Sequence, residues 1–282
     1  MSARWDTFWH ASTSSRNLAV ARVLLAGTAL WMVLSRVDLP SVLEFPAEMW
    51  TGLGAAREAR FGLGAPLVLE RTLYAALHAT LVAALFGIHP RLSCFASGLL
   101  LYHFAPFETI VRSPNPYLRG LTIPTLGLLI LSFAPRMERW RVLGGTPEDA
   151  PAWPLRLVQV LLCQIYFFAG YAKLVTSGLD WPGVENVRRY LLLLNQGLSS
   201  TPAGSLGYAL ADLPWACALL GWGGLLFELA FPLVLFSRAS RLVLLPLAVV
   251  FHVANGLLFR IFFQNVFLLL LFVDWDRRRS AS

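Results

Sequence analysis

Apolar runs of bilayer-spanning length divide this chain from end to end, and they leave few folds open to it. In hydrocarbon every backbone N–H and C=O must find a partner within its own segment, so such runs fold as helices of about 17–25 residues. They can be marked off at 17–38, 70–88, 92–107, 118–134, 152–175, 215–236, 241–259 and 260–274. The third and eighth are short. The last two meet at Phe259-Arg260, where one broken helix or a tight hairpin would serve equally well. The predicted fold class is all-α: a polytopic integral membrane helix bundle of about eight transmembrane helices, forming a single domain over 1–282. Composition agrees, with 57% hydrophobic and 14% charged residues, against about 25% charged in soluble domains. In water such a chain would expose far too much apolar surface, so the lipid bilayer is its expected partner.

The net charge of +7 arises from 23 basic and 16 acidic side chains. The basic residues form no stripe with interleaved aromatics, which argues against nucleic acid as a partner. They cluster instead in short segments that alternate with the spans. The N-terminus, 89–91, 136–141, 237–241 and the tail from 276 are arginine-rich, whereas 55–60 and 184–190 mix both signs. The positive-inside rule then places both termini in the cytoplasm, as expected for a multi-pass protein of a bacterial inner (cytoplasmic) membrane. Residues 1–17 lack the apolar core of a cleavable signal, so the first span is expected to act as an uncleaved anchor. Cys94, Cys163 and Cys217 all fall in apolar runs without metal-ligand spacing, and no metal is expected. Two segments expected outside look structured. One is 39–69, and in the other, 176–214, Asp180 is placed to N-cap a helix with Pro182 in its first turn.

The chemistry-bearing residues lie within spans. Lys173 is the sole lysine among the 23 basic residues. Arginine keeps its charge in any protein environment, whereas a buried lysine can act as a base; the competing reading is a lysine that snorkels to the headgroups. Tyr166, Gly170 and Lys173 stand at i, i+4 and i+7 and share a helix face. His252 has Asn255 three residues on, again on one face. His78 and His103 also fall in spans, where a hydrogen bond to a neighbouring helix is the simpler role. Ionisable groups at such depth face a bundle interior or a wet cavity, and Lys173 and His252 are expected to share one. Arg260, Gln264 and Asn265 open the last run, where they suit either a polar ligand headgroup or the broken turn. Arg22 and Glu228 are expected to form a structural ion pair. Walker, GxGxxG, HExxH and paired-carboxylate motifs are missing from the sequence.

The stretches RNLAVARVLLAG (16–27), QIYFFAGYAKLVTSGLDWPG (164–183), FELAFPLVLFSRASR (227–241) and FHVANGLLFRIFFQNVFLLLLF (251–272) together resemble the HTTM family. This is the transmembrane domain shared with vitamin K-dependent γ-carboxylase. The most specific elements are AGxxKL followed by DW, and FHxxNxxLF. The resemblance implies that Lys173 is a base toward vitamin K hydroquinone or menaquinol. The oxygenated cofactor then provides the strong base that removes a glutamate γ-proton so that CO2 adds. It also implies that His252, a candidate catalytic residue, and Asn255 line the cofactor pocket; Tyr166 and Gly170, by their shared face with Lys173, and Arg260 and Gln264, by their place at the last run, are further candidates for binding the cofactor. Three departures stand out: Ala172-Lys173 replaces two adjacent lysines, 113–120 lacks a second histidine, and the sequence stops at Ser282 without a large lumenal domain. A quinol-using carboxylase acting on a peptide or protein at the outer face is one reading. The alternative is a non-catalytic membrane partner in maturation or export of a secreted peptide. A transporter is a third, for which the sequence offers no inverted repeat.

Overall fold

The computed structural model describes residues 2–35, 67–104, 120–135, 148–198 and 200–276. The expected outer segment 39–69 lies almost wholly outside the described residues. The chain forms two compact units, Met1–Val158 with Leu270–Ser282, and Gln159–Leu269.

In the first unit, α1 (Ser2–His10) leads through β1 (Ser12–Ser14) into α2 (Ser15–Leu34). Four helices then pack in a closed ring: α2 touches α3 (Leu67–Phe86), α3 touches α4 (Pro90–Phe104), α4 touches α5 (Thr122–Ser132), and α5 returns to α2. The ring closes tightly because small residues stand where helices meet. A Cβ on Gly98 would lie 2.6 Å from the Leu129 side chain, and one on Gly127 would lie 2.8 Å from Leu25. Without a hydrophobic force between helices in lipid, such close approach supplies the packing energy. The Ser14 hydroxyl caps α2 by accepting from Arg16 N–H at 3.2 Å. β1 pairs antiparallel with β2 (Asp149–Pro151), with Thr13 opposite Ala150. Asn17 ties down the chain's far end: its Nδ2 donates to Asp274 and its Oδ1 accepts from Trp275 N–H, both at 2.8 Å. Between α3 and α4 the chain turns through Gly87 and His89, both at positive φ. There the Arg22 guanidinium occupies the space a side chain on Gly87 would need.

The unit boundary falls within α6 (Trp153–Ser177). The second unit continues with α7 (Val184–Leu194), α8 (Pro202–Ala211), α9 (Pro214–Ala230), a 3-10 turn over Phe231–Leu235, and α10 (Arg238–Leu258). α7 is amphipathic. Its buried Val187 and Leu191 pack with Ala211, Cys217 and Leu258, while Glu185, Arg188 and Arg189 face outward. Gly183 caps α7 without a side-chain bond. Asp180 instead ends a 3-10 turn, and its carbonyl accepts from Gly183 N–H. The expected Asp180 cap is therefore displaced by three residues, because Pro182 precedes the helix rather than opening it.

Five described helices are long and apolar enough to cross a bilayer: Ser15–Leu34, Leu67–Phe86, Trp153–Asp180, Pro214–Leu235 and Arg238–Leu258. Their outward faces carry exposed Phe86, Phe168, Leu226 and Val250, a surface that only lipid covers. The protein is an integral, multi-pass, all-α membrane protein. The described residues leave the count of eight open. The third and fourth runs continue into residues outside the described ones, with α4 described to Phe104 and α5 from Thr122, while the eighth forms a 3-10 stretch over Gln264–Phe272. The junction at Arg260 explains the last: it adopts φ 57, and the Phe262 ring folds back against Gly256. α10 thus stops at Leu258 and the apolar run after it does not restart as an α-helix.

Candidate functional site

Both candidate groups hang from one face of α6. Tyr166, Gly170 and Lys173 turn to the same side, toward α9 and α10. The Tyr166 ring lies 4.1 Å from that of Phe231, and its hydroxyl meets His252 Nε2 at 2.6 Å. One turn on, Gly170 lets α9 approach, since a Cβ there would stand 3.1 Å from the Glu228 Cβ. Beyond it, Lys173 Nζ donates to both carboxylate oxygens of Glu228. The Glu228 side chain is only 6% exposed and that of Lys173 23%, so the pair is reached from the lysine side. Lys173 Nζ also lies 4.3 Å from the centroid of the Trp181 ring, a cation–π contact.

Trp181 is held there by its own segment. Its carbonyl accepts from Asn186 Nδ2 at 2.8 Å. The following Pro182 carbonyl sits where a Cβ on Gly221 would come within 2.4 Å, so only glycine on α9 admits this turn. Trp181 was legible in the DW that follows the lysine motif, but its role as a lid over the ammonium was not. Glu228 was expected to pair with Arg22. In the structure both its oxygens serve Lys173 of its own unit, while Arg22, in the other unit, is buried against Gly87.

Lys173 and His252 make separate contacts. Seven residues of helix separate Tyr166 from Lys173, about 10 Å along the axis. His252 is wrapped in aromatic rings, with Phe251 at 5.5 Å, Tyr166 at 5.8 Å and Phe263 at 5.2 Å between centroids. Its Nδ1 is buried without a protein partner among the described residues. His78 differs, because its Nδ1 donates to the Tyr74 carbonyl of its own helix at 2.8 Å. His103 Nε2 meets Glu70 at 2.7 Å, a partner that sequence reasoning missed because Glu70 sits at the very edge of its apolar run.

The remaining expected residues do local work. Asn255 Nδ2 donates to the Phe251 carbonyl, and its own carbonyl accepts from the N–H groups of Phe259 and Ile261, closing the end of α10. Arg260 Nε donates to Asn195 Oδ1 at 3.2 Å, and the fully buried Asn195 in turn donates to the carbonyls of Leu191 and Leu258. Asn195, also missed, thereby fastens the Arg260 turn to α7. Gln264 Oε1 and Asn265 Oδ1 are buried without protein partners among the described residues. No group of histidine, cysteine and carboxylate side chains able to hold a metal occurs among the described residues.

No solved structure matches the chain. The family model described as HTTM domain matches residues 12–276, which takes in most of the first unit, all of the second and every residue of the site. This chain therefore belongs to the HTTM domain family.

Proposed function

We propose that this protein accepts a proton from a lipid-soluble quinol, vitamin K hydroquinone or menaquinol, at Lys173 and Glu228, as part of a carboxylase-like reaction. The observation that supports it most is the amine–carboxylate pair set within spanning segments, beneath the face of Trp181. An ammonium has three N–H donors; two go to Glu228, which leaves one for a ligand oxygen. The indole face of Trp181 suits a flat aromatic ring. The bare Nδ1 of His252 offers a second polar contact. These residues fit a quinol. When bound, it would supply a hydroxyl proton and the electrons that dioxygen receives. In the amine form of Lys173, beside the ionised Glu228, the hydroxyl proton passes to the Nζ lone pair; the ammonium so formed keeps its two bonds to Glu228 and turns its third N–H to the oxygen left negative. Tyr166 and His252 fix the deeper wall. Buried low-dielectric surroundings strengthen this electrostatic stabilisation.

The test is quinol epoxidation by the purified, reconstituted protein, a half-reaction that needs no acceptor. Lys173→Arg keeps the charge and the bond to Glu228 but cannot give up its proton. It should lose about 10²–10⁴-fold in rate, and a small amine should restore part of the activity of Lys173→Ala. If the wild type binds no quinol and Lys173→Arg keeps its cellular function, the pair is a fastening between helices. The second reading, a non-catalytic partner in maturation or export of a secreted peptide, then stands. It is favoured by the engagement of both Glu228 oxygens, which a purely structural pair would also show.

The arginine distribution supports cytoplasmic termini, and a bacterial inner membrane is the location we infer with them. Externally added thiol reagent should label single cysteines placed at 196–203 in intact cells but not at 143–147, and labelling at 143–147 reverses this orientation.

A further inference from the structure

The outward face of α7 carries a second site, unconnected with the lysine pair. A cavity of about 540 Å³ opens there, lined by Glu185, Arg188, Arg189, Leu192, Leu193 and Tyr208 among others. Arg188 and Arg189 are exposed and have no protein ion-pair partner among the described residues. Against them stands one carboxylate, so the lining is net positive. The cavity is graded along the helix. Charged groups occupy its N-terminal end, while Leu192 and Leu193, 36% and 59% exposed, occupy the next turn. Unpaired guanidinium groups call for an anion, and exposed leucines beside them call for hydrocarbon.

The location supplies the source. α7 lies between a helix that crosses the membrane, Trp153–Asp180, and another that begins at Pro214. Tyr190 and Trp215 are exposed on either side of the cavity's sequence, as aromatic residues are at the membrane–water interface. The opposite face of α7 is fixed by its buried Val187 and Leu191, so the arginines are presented by a rigid element. Guanidinium forks match phosphate oxygens bidentately. We infer that this cavity binds the phosphodiester headgroup of an anionic phospholipid, with Arg188 and Arg189 on the phosphate and an acyl chain laid along Leu192 and Leu193. The carboxylate of Glu185 at the polar end is suited to a headgroup hydroxyl.

The experiment mixes purified protein with equal amounts of phosphatidylglycerol and phosphatidylcholine in detergent, re-isolates it, and quantifies bound lipid by mass spectrometry. The wild type should retain the anionic lipid preferentially, by roughly fivefold for each arginine. Arg188→Gln with Arg189→Gln should bring the ratio to parity, and Arg238→Gln, an exposed arginine at the start of α10, should leave it unchanged. Equal retention of both lipids by the wild type overturns the inference, as does an equal loss in Arg238→Gln, which would mean diffuse charge. Competitors separate the sources without any variant. Inorganic phosphate, the acyl-free glycerol phosphodiester and a glutamate hexapeptide should each fail to displace the lipid. Displacement by either small anion makes this a free-phosphate site, and displacement by the hexapeptide makes it an acidic-peptide site; both outcomes sink the lipid assignment. Should the double variant fail to fold, the wild-type ratio and the competitors still decide.

Discussion

Each unit contains a buried carboxylate bonded to a basic side chain, yet the two pairs are built for different demands. In the first, Glu70 on α3 meets His103 on α4 through one oxygen at 2.7 Å. In the second, Glu228 on α9 meets Lys173 on α6 through both. Both carboxylates are almost fully buried and both bases are partly exposed. A neutral imidazole can donate one N–H to a carboxylate, so the first pair can exist with a single charge. Lysine in contact with both oxygens forms a full ion pair, whose members are each costly to leave alone in a low-dielectric interior. The second pair also has Trp181 over its ammonium, whereas the Phe104 ring meets the first pair's base edge-on at 4.8 Å. A helix-fastening bond needs no such cover. The lysine pair presents an aromatic face beside a group that can give and take a proton.

The contrast is sharpest if each pair is broken in turn. Glu228→Ala leaves an ammonium without its counter-charge and should cost about 3–5 kcal/mol, seen as a collapse in the folded fraction on size exclusion. Replacing both partners, Lys173→Met with Glu228→Met, should recover most of that loss. Stability no better than Glu228→Ala would mean that packing around Glu228, rather than charge, holds α6 to α9. Gly221→Ala acts on the support of the pair. Its Cβ would stand 2.4 Å from the Pro182 carbonyl oxygen, a clash with backbone that should cost about 1–3 kcal/mol and lift Trp181 from Lys173. Thermal midpoint and quinol epoxidation should fall together, and a normal rate would show that the indole is not part of the site. Glu70→Gln should have the smallest effect, about 1 kcal/mol, because an amide oxygen still accepts from His103. A loss equal to that of Glu228→Ala would make the two pairs alike.

Much of this was readable from residue order. Apolar runs forecast a helical membrane protein because hydrocarbon admits little else. A lone lysine in a spanning run, with glycine and tyrosine one and two turns before it, forecast that the three share one helix face. His252 was legible as an odd residue in an apolar helix, and the paired motifs around Lys173 and His252 carried the family. Span length was less legible. The run 260–274 is apolar enough, but a left-handed Arg260 and the fold-back of Phe262 onto Gly256 make it a 3-10 element. Hydropathy is blind to backbone dihedrals.

What the sequence determined by itself was the solvent, the class of fold and which side chains are chemically unusual, since these follow from residue type and from spacing along one helix. Which of those side chains meet was decided only by tertiary packing. Glu228 stands 55 residues from Lys173 and 206 from Arg22, and nothing in either interval favours one cation. Gly170 decides it locally, by letting α9 come close enough to α6 for the carboxylate to reach the lysine. The same holds for Tyr166 with His252, 86 residues apart, and for Trp181, set over Lys173 because Gly221 leaves room for the Pro182 turn. Periodicity assigns a residue to a face; only the distance between two helices, set by the smallest residues along their contact, assigns it a partner.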